Sequence, residues 1–178
     1  MSKSNKTTIK PGAIVEFTKT VLKGDVTIGK GTVVHPTVQI LAEGGPIVIG
    51  ANNLLEEGVV LHNKLSEDGS ERTMVIGDDN QFEVRSSSNA LYIGNNNLVQ
   101  MTAKLGADMK LENGCVVGVG MHLENRVLSD RTHCYIHDGM IQERTGRDFP
   151  PLQTQQLDYL RNVIPNYHKV HKPSKVEQ

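Results

Sequence analysis

From Ile93 onward an aliphatic residue returns at every sixth position: Ile93, Val99, Leu105, Leu111, Val117 and Leu123. The place after each holds Gly94, Gln100, Gly106, Glu112, Gly118 or Glu124, and four places after each comes Asn97, Ala103, Met109, Cys115, Met121 or Val127. An amphipathic helix repeats its apolar positions every three or four residues and a lone strand alternates, so neither produces a period of six. A chain wound into a three-sided prism does, with one short strand and one corner per hexad and three hexads per turn. The aliphatic residue then points inward and stacks on its counterpart one coil away, in the manner of a parallel β-helix. Burying each such side chain contributes roughly 1.5 to 3 kcal/mol, and the stack is needed because no single coil can bury its own face. Glycine one place after the aliphatic suits a corner whose bend requires positive φ.

The same rhythm begins earlier and slips between blocks. Ile9 and Val15 open it; Ile28, Val34 and Ile40 follow, then Ile49, Leu55 and Leu61, then Ile76 and Phe82. Seven coils fit between Ile9 and Ile141 if each uses about eighteen residues. Residues 63–73 interrupt the pattern with Lys64, Glu67, Asp68, Glu71 and Arg72 around Gly69, and predict a protruding charged loop. After Ile141 the charged stretch 142–148 and the pair Pro150 and Pro151 precede a helical pattern over 153–164. Leu157, Leu160 and Ile164 form one apolar stripe there, and Pro165 is expected to stop the helix. An open β-helix needs cover for its exposed ladder groups, so the helix is expected to pack on the prism, at its end or along a side. The expected organisation is an all-β domain over 9–141 with its loop at 63–73, a loose arm over 1–8, a connector and helix over 142–165, and a mobile tail over 166–178.

Composition narrows the class. The 178 residues contain 17 Gly and no Trp, which matches a narrow interior filled by Val, Ile and Leu. A net charge of −1 gives no long-range attraction to nucleic acid or to an anionic membrane. No apolar run follows the basic stretch Met1 to Lys6, and no stretch is long enough to span a bilayer, so the reading is a cytosolic or nuclear protein. Two cysteines, Cys115 and Cys134, make no disulfide framework, and Cys115 at an inward position is read as a small buried hydrophobe.

Several groups invite chemical readings. Gly24 to Gly31 reads G-D-V-T-I-G-K-G, but a phosphate-binding loop needs Ser or Thr after its Lys and a helix beyond, whereas Gly31 and more repeat follow. Lys23 to Thr32 resembles a stretch of the gamma carbonic anhydrases, β-helix enzymes that hold zinc with three His. Hexad alignment places Leu41, Ala51 and Glu56 at those ligand positions, and H-x-x-x-x-H occurs nowhere. His35 and His62 follow inward aliphatics and read as corner or surface residues. His122 could serve as the general base of a hexapeptide acyltransferase, which also requires an acyl-carrier groove and an oriented partner. His133 and His137 are expected on a strand and a turn with different faces. The acids Glu56 with Glu57, and Asp78 with Asp79, read as solvated corner residues.

Three stretches carry a family resemblance: G-D-V-T-I-G at Gly24 to Gly29, G-P-I-V-I-G at Gly45 to Gly50, and L-D-Y-L-R-N-V-I-P-N-Y-H from Leu157 to His168. Together they resemble the dynactin subunit 6 family over Ile9 to His168, the last being the most telling because it lies outside the repeat. The resemblance implies a left-handed parallel β-helix with a C-terminal α-helix, a hand that spacing alone does not fix. It also implies a cytoplasmic, cytoskeleton-associated scaffold subunit without catalysis, cofactor or metal. Such a subunit pairs with dynactin subunit 5 and joins dynactin subunit 4 and an actin-related protein at the pointed end, supporting cargo engagement by dynein and dynactin and microtubule-based transport. Candidate partner contacts are Lys64, Glu67, Asp68, Glu71 and Arg72 in the loop, and Leu157, Leu160 and Ile164 on the helix. The competing reading is a hexapeptide-repeat enzyme, either a zinc hydratase or an acyltransferase.

Overall fold

The computed structural model describes residues 6–174. Its chain winds into a left-handed parallel β-helix of seven coils with one C-terminal helix. Three walls result. The first has seven strands, from Thr7–Ile9 to Val127–Leu128; the second has eight, from Ile14–Val15 to Met140–Thr145; the third has six, from Val21–Lys23 to His122–Leu123. Every pairing in the walls is parallel except the last, where Thr132–His137 and Met140–Thr145 form an antiparallel hairpin.

Register stacks the inward residues as the six-residue rhythm demands. Ile9, Ile28, Ile49, Ile76, Ile93, Leu111 and Leu128 share one column. Val15, Val34, Leu55, Phe82, Val99, Val117 and Cys134 share the second, and Leu22, Ile40, Leu61, Ser88, Leu105 and Leu123 the third. All but Leu22, which is partly buried, are excluded from solvent. Ser88 is the polar exception and uses its hydroxyl to accept from the Ala90 amide at 3.1 Å. Cys115 and Cys134 are free, buried thiols, and burial pushes both up to about 11. They therefore stay protonated and act as packing groups.

Corners depart from the expected chemistry. Positive φ falls three places after the inward residue, at Asn52, Asp79, Asn96, Thr102, Gly114 and Gly120, and not at Gly94, Gly106 or Gly118. Glycine one place after the aliphatic has a different cause, the close approach of the next coil. A Cβ on Gly77 would lie 2.2 Å from Asn95 Oδ1 and 2.6 Å from the Gly94 oxygen. Val127 is also corrected: the step from Leu123 to Leu128 is one residue short, which turns Val127 outward to 60% exposure.

One column of buried polar residues runs up the corner between the first and second walls. Asn53, Asn80 and Asn97 are each at most 2% exposed. Asn80 Oδ1 accepts from the Asn97 amide at 2.9 Å and Asn97 Nδ2 at 3.0 Å, while Asn80 Nδ2 donates to the Gly94 oxygen at 2.9 Å. Asn53 and Asn97 repeat the scheme on neighbouring rungs. Thr32 performs it with a hydroxyl, accepting from Asn53 N at 3.1 Å and donating to the Gly50 oxygen at 2.8 Å. Buried amides and carbonyls that a strand ladder cannot reach at a corner are thus paired. A parallel exterior column links Ala51 N to Asp78, Asp78 N to Asn95, Asn95 N to Asn113 and Asn113 N to Asp130.

The C-terminal segment differs most from expectation. Residues 142–148 are not all connector, because Gln142 to Thr145 complete the hairpin. The helix spans Thr154–Tyr167 and passes through Pro165. That proline lies in the last turn, so only one helical bond, to the Arg161 carbonyl, is forgone before the end. The helix lies along a side of the prism, with Leu157 and Ile164 against Val33 and Leu54 of the second wall. Arg161 fastens it to a corner through Nε to the Gly31 oxygen at 2.9 Å and Nη2 to Asn52 Oδ1 at 3.0 Å. The expected mobile tail is docked as far as Ser174, which donates its amide to the Ile9 oxygen at 2.9 Å. Thr7 and Thr8, assigned to the arm, pair with Val26 and Thr27 in the first wall. Residues 1–5 of the arm and 175–178 of the tail lie outside the described residues.

Candidate interaction surfaces

The residue just before each inward aliphatic faces out, so the three walls present three different surfaces. On the third wall the outward row reads Val21, Gln39, Val60, Ser87, Lys104 and His122, polar along most of its length. On the second it reads Ile14, Val33, Leu54, Gln81, Leu98, Val116 and His133. That mainly apolar row is covered by the chain itself. The helix lies on Ile14, Val33 and Leu54, and the stretch Arg144 to Pro151 passes over Leu98, Val116 and His133, leaving a gap of about 740 Å³. Parallel sheets need both faces covered, and here the C-terminal segment supplies the cover.

Among the described residues no such cover lies on the first wall. Its outward row is Thr8, Thr27, Val48, Val75, Tyr92, Lys110 and Val127. Val48, Val75, Tyr92 and Val127 are 37 to 60% exposed, and Lys110 Nζ lies 4.9 Å from the Tyr92 ring centroid. Six strand spacings of about 4.8 Å make the row about 29 Å long. Neither composition nor the six-residue rhythm marks these residues; reading every third hexad separately would have.

The charged loop emerges where the third wall turns into the first. Asn63, fully buried at its root, donates to the Gly45 oxygen at 2.9 Å and the Arg72 oxygen at 2.5 Å, closing the loop on itself. Asp68 accepts from the Ser70 hydroxyl at 2.7 Å and its amide at 2.9 Å, and these bonds hold its carboxyl at about 2. Lys64, Glu67, Asp68, Glu71 and Arg72 are all exposed. A cleft of about 520 Å³ separates the loop from Asn89, Leu91, Ala107 and Asp108.

The candidate contacts therefore divide. The five loop residues remain on the surface, whereas Leu157 and Ile164 are 4 and 5% exposed against the chain's own second wall and present nothing to a partner. Leu160 is partly buried in the same contact.

Histidines are scattered, and several lie beside a carboxylate. His35 Nδ1 lies 2.8 Å from Glu57 Oε1, and His62 Nε2 lies 2.8 Å from Glu43 Oε2. His122, on the outside of the third wall, lies 3.1 Å from Glu124. His133 and His137 fall on one strand and, four residues apart, on the same face of it, contrary to expectation. About 13 Å of strand separates them, too far for a shared ion. Among the described residues no group of three or more His, Cys, Asp and Glu is placed to hold a metal. Leu41 sits on the third wall opposite His62, Ala51 in a corner, and Glu56 accepts from Gln81 Nε2 at 3.0 Å.

A seven-coil prism with this repeat is a hexapeptide-repeat protein, and solved structures agree. A hexapeptide transferase family protein from Anaplasma phagocytophilum superposes with a TM-score of 0.62 at 17% identity, covering 90% of this chain and 88% of that one. No protein-family model matches the chain. It belongs to the dynactin subunit 6 family: it is 40% identical over 174 residues to dynactin subunit 6 of Xenopus tropicalis, covering 94% of this chain and 85% of that protein. A shorter match, 37% identical over 91 residues, links it to a carbonic anhydrase of Methanosarcina thermophila, covering 49% of this chain and 34% of that one.

Proposed function

We propose that the chain is a noncatalytic scaffold subunit of the dynactin pointed-end complex, acting in the cytoplasm with the cytoskeleton and supporting engagement of cargo for microtubule-based transport. The observation that carries this reading is the outer face of the first wall, an uncovered apolar row on a rigid flat surface. Its occupant is the flat side of dynactin subunit 5, a second β-helix, with dynactin subunit 4 and the pointed-end actin-related protein completing the assembly. Two prefolded walls associate with little ordering cost. One partner contributes about 800 Å² to a standard interface, more than a single row of side chains supplies. The adjoining loop, with Lys64, Glu67, Asp68, Glu71 and Arg72, extends that surface and adds charges that select the partner.

Copurification of the tagged chain, with composition read by mass spectrometry, tests the assignment. Recovery of subunits 4 and 5 with the actin-related protein is the expected result. Tyr92→Asp should lower recovery of subunit 5 at least tenfold without altering the chain's own melting. Stoichiometric zinc bound by histidines, or acyl transfer dependent on His122, would instead establish the enzymatic reading.

A further inference from the structure

The two ends of the prism are finished differently. At the first coil the chain seals its own margin. Ile9 donates to Ser174 Oγ at 2.9 Å and accepts from Ser174 N, His171 N donates to the Val15 oxygen at 2.9 Å, and Phe17 N donates to the Lys169 oxygen at 2.7 Å. Glu16 and Val170 add an antiparallel bridge. At the last coil the second wall ends in Met140–Thr145, with no described strand beyond it.

Register shows which groups that strand leaves bare. The Cys134 oxygen accepts from Gly118 N at 2.9 Å, so Cys134 turns its backbone toward the stack. Alternation turns His133, Tyr135 and His137 toward the outer strand, where Arg144, Gln142 and Met140 answer them. The bond from Gly146 N to the Arg131 oxygen at 2.7 Å keeps the same phase. The backbone N–H and C=O groups of Ile141, Glu143 and Thr145 consequently point away from the prism. The hairpin also overhangs its support, since only His133 and Cys134 pair with the coil above. Tyr135, Ile136, Met140 and Ile141 stand 42 to 62% exposed on the overhang. Six residues make this one of the two longest described strands, and no proline interrupts its edge.

We propose that Met140–Thr145 takes up an extended segment of another protein as a ninth strand of the second wall. The segment carries apolar residues at alternate positions, to lie against Ile136 and Ile141, which share one face of the hairpin. A second copy of this chain is a poor occupant. Antiparallel pairing of two such edges, in phase with their outward groups, opposes Glu143 to Glu143 and Ile141 to Thr145 in one register, and Ile141 to Glu143 and Met140 to Arg144 in the next, so neither gives Ile141 an apolar partner. The described chain begins and ends at the opposite end of the prism, since Lys6 and Ser174 both lie at the first coil. That the segment comes from a dynactin subunit rests on the function proposed above.

Hydrogen exchange of residues 139–146, compared between the isolated chain and the chain within assembled dynactin, tests the proposal. Exchange at Ile141, Glu143 and Thr145 should slow at least tenfold on assembly. Ile141→Pro removes one outward N–H without touching the hairpin ladder, and should reduce incorporation at least tenfold while melting stays unchanged. Ile141→Lys, which keeps the N–H, should reduce it less. If the unmodified chain fails to enter the complex, the dynactin reading falls and this proposal with it. If the chain enters but exchange is unchanged and Ile141→Pro enters equally well, strand addition alone is overturned. Protection that grows with the concentration of the isolated chain would assign the edge to a second copy and overturn it also.

Discussion

Replacing Asn80 by alanine tests the interior asparagine column directly. The side chain is 1% exposed and serves three groups: the Asn97 amide, Asn97 Nδ2 and the Gly94 oxygen. Asn97 Nδ2 retains a second acceptor in the Glu112 oxygen, so the change strands mainly one N–H and one C=O. Each buried group left unpaired costs about 1 to 3 kcal/mol, giving a destabilisation of about 4 kcal/mol. Against a total of roughly 5 to 15 kcal/mol for an ordinary domain, that is a large fraction. Asn95→Ala at the same corner is the matched control. Asn95 Oδ1 accepts from Asp78 N at 2.7 Å, but both residues are exposed and water replaces the bond. Its cost should stay within about 1 kcal/mol. Asn80→Thr should recover part of the loss, because Thr32 already does this work with a hydroxyl. Urea unfolding followed by far-ultraviolet circular dichroism reads the differences at matched slope. Equal midpoints for Asn80→Ala and Asn95→Ala would refute the reasoning, since burial is what separates them.

Other consequences are checked in the same way. Gly77→Ala drives a Cβ into Asn95 Oδ1 and the Gly94 oxygen and should cost more than about 2 kcal/mol in urea unfolding. Leu157→Ala should loosen the helix by about 2 to 5 kcal/mol, seen as faster proteolysis between residues 146 and 170 while the coils melt as before. Burial pushes the Glu16 carboxyl up, but hydrogen bonds from Thr18, Lys19 and Thr20 outweigh it and bring it from 4.5 to about 2. Because the folded value lies below the unfolded one, its contribution of about 3 kcal/mol is complete above pH 4.5 and is lost as pH falls toward 2. Glu16→Gln should flatten the stability profile across that window.

The coils were legible because an inward aliphatic column imposes the same demand on every wall. Ile93 through Leu123 follow it without interruption, and the column survives the slips at Ala42 to Pro46 and at the charged loop because both insert residues at a corner. What stayed hidden repeats once per coil instead of once per hexad. Asn53, Asn80 and Asn97 recur at spacings set by corner insertions, so no fixed period gathers them. Pooling hexads also blends Leu54, Val75 and Ser87, which face out on different walls and meet a helix, an uncovered row and a polar surface respectively. The helix stripe at Leu157 and Ile164 was visible, but a stripe does not say whether its partner is the same chain.

Wall composition and cover are linked by the same rule that builds the interior. A parallel sheet exposing Ile14, Val33, Leu54, Leu98 and Val116 is unfavourable in water, and a chain that carries its own helix to that face removes most of the penalty. The third wall needs no such help because Gln39, Ser87, Lys104 and His122 are content with solvent. The first wall falls between them: too apolar to be indifferent, yet carrying Thr8 and Thr27 at one end and Lys110 between Tyr92 and Val127. One shortened hexad adds Val127 to that row, although a full-length step would have turned the residue inward. A core requirement cannot account for a residue moved to the outside. Under the function proposed above, a surface that is covered in an assembly can.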